Sequence, residues 1–238
     1  MTDVRVFPKA TDAAEACGRQ ILDWLNAAVA EKGMATLAIS GGSSPKTMFA
    51  MFAATSFAWD RVHLFWVDER CVPPSDDQSN FKLANDLWLI PAAFPKSNVH
   101  RVETELPPTE AAARYEEKIR EHLGLQGLQL PGFDVMHRGM GPDAHTASLF
   151  PGEPKIQNQT DIAAAVWVEK FKQWRVTLLP GVLEAAHHTA MLVTGADKAQ
   201  PLRSVLHGPN DPLQWPAQIG SNEKTVWFLD TAAAAQES

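Results

Sequence analysis

Cysteine is nearly absent from this chain: Cys17 and Cys71 are the only two, far apart and without metal-like spacing. That excludes a disulfide framework and a cysteine zinc site, and both are read as reduced thiols. Long apolar runs are missing too, so nothing in the sequence spans a bilayer. The opening stretch, MTDVRVFPKATDAAEA, lacks the basic-then-apolar layout of a secretion signal, and the expectation is a cytoplasmic protein that meets no membrane. Basic charge is in deficit, with 21 Lys and Arg against 28 Asp and Glu and a net charge of −7. Nucleic acid is disfavoured as a partner, because phosphate-backbone binding needs a dense basic surface. A small anionic ligand is not disfavoured, since a few convergent cations set the potential of a cleft whatever the global sum. There is no GxGxxG, no P-loop, no internal repeat, no low-complexity tract and no linker. No His, Cys and carboxylate set has ligand spacing, the adjacent His187 and His188 included, so neither a metal nor another cofactor is expected.

What the chain does have is 45% hydrophobic residues, enough to bury a full core, and residues 1–238 are read as a single domain. Short apolar runs at 4–7, 35–39, 62–67, 98–102, 133–136, 163–168, 175–178, 189–193 and 225–229 read as strands. Helices are expected between them: from a capping box at Asp12 and Glu15 to about Gly33, from Ser44 with Pro45 at the first helical position, after Ser79, over 108–123, over 180–186, from about Lys198, and briefly over 230–235. Strands that alternate with helices predict an α/β fold, a mostly parallel sheet covered on both faces. Ligands of such sheets lie outside the carboxyl ends of the strands. Gly41, Arg70, His145 and Lys198 each follow a strand, so one face collects them.

Residues 139–152, GMGPDAHTASLFPG, carry the densest chemistry. Glycines at a strand's end let the backbone turn unobstructed. Asp143 and His145, two apart, can share one turn, where the carboxylate fixes a tautomer and the imidazole moves a proton. The plain alternative is a turn with a satisfied histidine. Upstream, SGGSSPK (residues 40–46) puts a glycine-rich turn before a helix N-terminus, which suits an anion but also describes an ordinary strand-to-helix turn. Asp68, Glu69 and Arg70 arrive abruptly at a strand's end, as either a solvated loop or a site. Lys198 begins a helix, where the dipole disfavours a cation and an anion nearby would explain it.

Taken together these stretches resemble the 6-phosphogluconolactonase family, whose signature runs Gly-x-Gly-x-Asp-Gly-His-Thr-Ala-Ser-Leu-Phe-Pro-Gly. Here Ala144 replaces a glycine, which costs about 1 kcal/mol if the site needs a positive φ. His137 and Arg138 stand where the family usually has apolar residues. The resemblance extends to Ser40, Gly41, Gly42, Ser43 and Ser44 as a sugar-phosphate loop, to Asp68-Glu69-Arg70 followed by Ser79 and Asn80, to Lys198 in a Gly-Ala-x-Lys-Ala string, and to the Trp-Phe-Leu-Asp ending at Trp227 to Asp230. It implies a Rossmann-like three-layer sandwich with a mostly parallel central sheet. It also implies metal-free hydrolysis of 6-phospho-D-glucono-1,5-lactone, a sugar-phosphate lactone, to 6-phospho-D-gluconate in the oxidative pentose phosphate pathway. His145 would be the general base, Asp143 its orienter, Arg70 a donor to substrate oxygens, and Asn80 with Lys198 and the 40–44 loop the contacts to substrate and phosphate. Glucosamine-6-phosphate deaminases share part of the signature but continue Ile-Ala-Phe-Asn-Glu after the histidine, where this chain has Thr146 to Phe150. A sugar-phosphate sensor of the regulator type would carry a DNA-binding helix-turn-helix ahead of the first strand, which begins here at about Val4.

Overall fold

A computed structural model describes residues 3–236. Seven strands, β1 (Asp3–Phe7), β2 (Ala35–Ile39), β3 (Val62–Trp66), β5 (Val99–His100), β6 (Val135–Gly139), β9 (His188–Val193) and β10 (Thr225–Asp230), form one sheet in the order β1-β10-β9-β6-β2-β3-β5. All its pairings are parallel. A second sheet of three antiparallel strands has the order β4 (Asp68–Arg70), β8 (Gln173–Leu178), β7 (Ala163–Val168).

The side chains of the parallel strands alternate between the two faces, and both faces are dry. Ala35, Leu37 and Ile39 pack with α1 (Ala10–Lys32) and α2 (Lys46–Ala54), while Ala38 and Phe65 point the other way, onto α4 (Pro108–Leu123) and the small sheet. At the other half of that face, Met191, Val193, Trp227 and Leu229 meet α6 (Ala199–His207). This is the layered α/β architecture that the strand–helix alternation predicts. No helix among the described residues is long and apolar enough to cross a membrane.

The strand order places the site. From β2 the chain moves outward to β3 and β5, then returns to lay β6 on the opposite side of β2. The order therefore reverses between β2 and β6, and the loops leaving their carboxyl ends diverge to open a crevice. The small sheet walls that crevice. Val67 joins the two sheets, donating its N–H to Ile39 O of β2 at 2.8 Å and accepting from Leu178 N of β8 at 2.8 Å. The Tyr115 hydroxyl of α4 takes up both backbone groups of Trp66 at 2.7 Å, which secures the point where the chain changes sheet.

Several boundaries differ from the sequence reading. Asp68 to Arg70, which the sequence allows as a solvated loop or a site, form a strand, because Thr177, Val176 and Arg175 stand opposite as pairing partners. Helix α1 begins at Ala10 with no side-chain cap, earlier than the Asp12 box predicts, since Ala13 and Ala14 are both buried and need helical geometry to face the core. Pro45, not Ser44, is the cap residue of α2, and the Ser44 hydroxyl lies 3.3 Å from Thr194 Oγ1 instead. Ser79 caps α3 (Asn80–Ala84) as expected, accepting from Lys82 N at 3.1 Å. Strand β5 is only two residues long at the sheet edge. The 230–235 helix is absent: Asp230 ends β10 opposite Phe7, and turns follow.

Candidate active site

The cleft at the switch point has a volume of about 420 Å³ and is lined from every quarter of the chain, by the 40–44 turn, Arg70, Asn80, His145, Arg175 and Lys198 among others. The sequence-predicted residues therefore converge, with Asp143 standing directly behind His145. Glycine makes the approach possible at two points. A Cβ on Gly41 would lie 2.0 Å from Asn80 Oδ1, and one on Gly141 would lie 2.0 Å from His145 Nδ1. Any side chain at either position would displace the group it touches.

The loop after β6 is held by its own backbone. Gly141 N donates to His145 O at 2.9 Å, Ala144 N to Gly141 O at 3.0 Å, and the Thr146 hydroxyl to Gly139 O at 3.0 Å. Ala144 adopts φ +61° and is fully buried, so the left-handed geometry that favours glycine is met by alanine at a cost of about 1 kcal/mol. Ala217 N, which donates to Ala144 O at 2.9 Å, helps hold it there.

His145 Nδ1 and Asp143 Oδ1 are 2.5 Å apart, and the imidazole stacks on Phe150 with ring centroids 4.1 Å apart. A carboxylate so placed can fix the ring's tautomer and orientation, and it engages Nδ1 rather than Nε2. Burial opposes a charge on Asp143. The hydrogen bond and charge of His145, with the Lys170 ammonium 3.2 Å away, outweigh burial and hold the carboxyl well below its usual range. Asp143 is thus ionised and does not compete for protons near neutral pH.

Arg70 makes no ion pair with Asp68 or Glu69, the structural alternative that the sequence allows. Its guanidinium donates to Gln78 O at 2.7 Å, and its buried Nε has no protein partner. Glu69 serves the backbone instead. It accepts from Arg70 N at 2.8 Å, Asn80 N at 2.8 Å and Phe81 N at 2.7 Å, and it is pushed up to about 7 chiefly by burial, with those N–H groups pulling the other way. The Asp68 carboxylate takes the Ser148 hydroxyl at 2.7 Å, and Asp68 O receives Asn80 Nδ2 at 2.9 Å. So Asp68, Glu69 and Asn80 brace the wall from which Arg70 projects.

Two cations were missed from sequence. Arg175 is buried directly opposite Arg70 in the β4–β8 pair, with its guanidinium 5.0 Å from the Phe171 ring and 5.7 Å from Phe150. Burial and the neighbouring Arg70 charge both lower its pKa, although Asp68 and Glu69 work against that. Lys170, read as an exposed turn residue, pairs with Asp143. A signal existed for Arg175, a charged residue opening an apolar strand; none existed for Lys170, whose role depends on where the β7–β8 hairpin lands.

Lys198 lies at the cap of α6 and lines the cleft, but its ammonium is already paired with Asp197. The anion that its position suggests is in part its own neighbour. The loop before it is tied down by Asp230, which accepts from Gly195 N at 3.0 Å and Ala233 N at 2.8 Å. Beneath the cleft, His137 and Arg138 are buried within β6, which extends past the expected 133–136 run. Burial pushes His137 down to about 4 and Arg138 down to about 10, and Arg138 donates to Ile219 O at 2.8 Å.

An oriented imidazole, a glycine-rich turn and several cations in one cleft can activate water beside an anionic substrate. Known proteins share the arrangement's framework. The family described as glucosamine-6-phosphate isomerases/6-phosphogluconolactonase matches residues 8–227. A 6-phosphogluconolactonase from Nostoc sp. is 35% identical over 99% of this chain and 98% of its own length. One from Mycobacterium tuberculosis is 32% identical over 99% and 98%. The solved 6-phosphogluconolactonase of Thermotoga maritima has a TM-score of 0.84 at 29% identity, covering 97% of this chain and 100% of that one. With relatives of this identity matched end to end, and a family match over nearly the whole chain, the protein belongs to the 6-phosphogluconolactonase family of lactone hydrolases.

Proposed function

We propose that this chain hydrolyses 6-phospho-D-glucono-1,5-lactone to 6-phospho-D-gluconate by metal-independent general-base catalysis. The observation that carries the reading is the Asp143–His145 pair, whose Nδ1 contacts the carboxylate while the imidazole lines a cleft ringed by Arg70, Arg175, Lys198 and the 40–44 turn. His145 takes a proton from water as it attacks the lactone carbonyl, then gives that proton to the ring oxygen as the C–O bond breaks. A positioned base of this kind supplies typically ~10²- to 10⁴-fold. Arg70, with Arg175 facing it, donates to the lactone oxygens and stabilises the developing oxyanion. Lys198 and the turn of Ser40, Gly41, Gly42, Ser43 and Ser44 hold the phosphate, which shares Lys198 with Asp197.

The names of the relatives support the substrate, and Thr146 to Phe150, where deaminases differ, supports the lactone over an amino sugar. A strained cyclic ester with a base and cations at hand needs no Lewis acid, so activity should survive dialysis against EDTA. The test is acid release from freshly made 6-phosphogluconolactone, followed against the spontaneous rate with and without EDTA. A folded protein that gives no acceleration defeats the proposal.

A further inference from the structure

Outside the cleft, three histidines from three elements meet on the side of the parallel sheet that α4 covers. His63 lies in β3, His100 in β5 and His122 in the last turn of α4. The register pairs Phe65 with His100. Side chains of a strand alternate with period two, so His63 and Phe65 share the face beside His100. His63 Nδ1 and His100 Nε2 are 3.0 Å apart, and the His122 ring lies 4.0 Å from His63 and 4.4 Å from His100, centroid to centroid. One ring nitrogen from each lies within 4.8 Å of the other two, and all three residues are partly exposed, so an ion can reach them.

We propose that His63, His100 and His122 form a binding site for one divalent ion of the zinc class, held by three imidazole nitrogens with water as fourth ligand. Tetrahedral zinc at about 2.0–2.1 Å from each nitrogen needs them roughly 3.3 Å apart, a spacing the His63–His100 pair already approaches, with a His122 nitrogen within 4.8 Å of both. An all-imidazole set suits Zn²⁺, Co²⁺, Ni²⁺ and Cu²⁺ and is poor for Mg²⁺ or Ca²⁺. One further feature favours an ion there. His122 ends a long helix, where the dipole attracts positive charge. Lys118, one turn before His122 on α4, is paired with Glu103. Phe65 stacks on His100 with centroids 4.5 Å apart and fixes that ring. The three residues are distant in sequence, which is why ligand spacing could not show them.

None of the three lines the cleft, so the site is independent of the lactonase reading. The experiment is a titration of the chelator-treated full-length protein with Co²⁺, read by the visible absorption of a tetrahedral ion, with Zn²⁺ as competitor. The expected result is one equivalent in the wild type and in His145→Ala, with weakening in His122→Ala by more than the ~10- to 100-fold that loss of a ligand's supporting partner costs. His122 lies near the surface, and circular dichroism checks that its variant is folded; His63→Gln gives the second reading. Absence of stoichiometric binding in the wild type, or unchanged affinity in folded His122→Ala, overturns the site.

Discussion

The loops that leave the parallel sheet bring an imidazole, hydroxyls and backbone N–H groups to the cleft, whereas the small antiparallel sheet brings charge. His145 and the 40–44 turn belong to the first; Arg70, Arg175 and Lys170 belong to the second. Lys198, after β9, is a cation of the cleft supplied from the parallel side, and it carries its own counter-ion. The difference teaches how the two tasks are separated. On the proposed mechanism, proton transfer falls to a loop where glycine permits close approach. On the same mechanism, electrostatic binding falls to strands, whose register sets Arg70 opposite Arg175.

This division can be broken one piece at a time. The largest effect is expected at His145: His145→Ala should lower kcat by about 10²- to 10⁴-fold with an unchanged circular dichroism spectrum. A folded variant near wild-type turnover would remove the base from the scheme. Asp143→Asn keeps the shape of the loop but loses the ionised orienter, and should lower kcat by less than His145→Ala does. Equal activity of Asp143→Asn and wild type would show that the 2.5 Å contact serves folding alone. Lys170→Ala touches the same carboxylate from the hairpin, yet Lys170 is about half exposed, so its loss should change kcat by no more than about fivefold.

The smallest effect sharpens the comparison through stability. Glu69, raised to about 7 from 4.5, keeps in the folded state a proton that the unfolded chain releases, so it adds stability as pH falls across that interval. His137 and His100 act oppositely: both are pushed from 6.5 to about 4, the unfolded chain takes up their protons first, and stability falls as pH drops between those values. Wild type should therefore lose stability on acidification with Glu69 partly offsetting the loss. Glu69→Gln should lose it more steeply between pH 7 and pH 4.5, measured by urea midpoints. Parallel curves would mean that Glu69 stays ionised on its three backbone donors.

The two sheets also differed in what the sequence revealed. The parallel strands are short apolar runs whose side chains alternate between two dry faces, and a local pattern of that kind survives in one dimension. Most of their limits were legible, as was the loop with Asp143 and His145, because those residues are neighbours in the chain. Asp68 to Arg70 read as a solvated loop or a site and not as a strand, because strand character there comes from its partner β8, about a hundred positions away. Arg175 and Lys170 were overlooked for the same reason: each matters only once the hairpin folds against the cleft. The extension of β6 over His137 and Arg138 was hidden by two polar residues that burial makes exceptional. The three-histidine cluster needs β3, β5 and α4 together, and no spacing rule reaches that far.

The central claim is that hydrolysis and phosphate recognition sit on separate groups of one cleft. It is tested most directly by kcat/KM on the phosphorylated lactone and on unphosphorylated gluconolactone, in wild type and Lys198→Ala. The account predicts a loss on the order of 30-fold, or about 2 kcal/mol, on the phosphorylated substrate, falling mainly on KM. The unphosphorylated lactone should be unaffected. Equal losses on both substrates would contradict it, placing Lys198 at the lactone end or in the fold and moving the phosphate to Arg70 and Arg175.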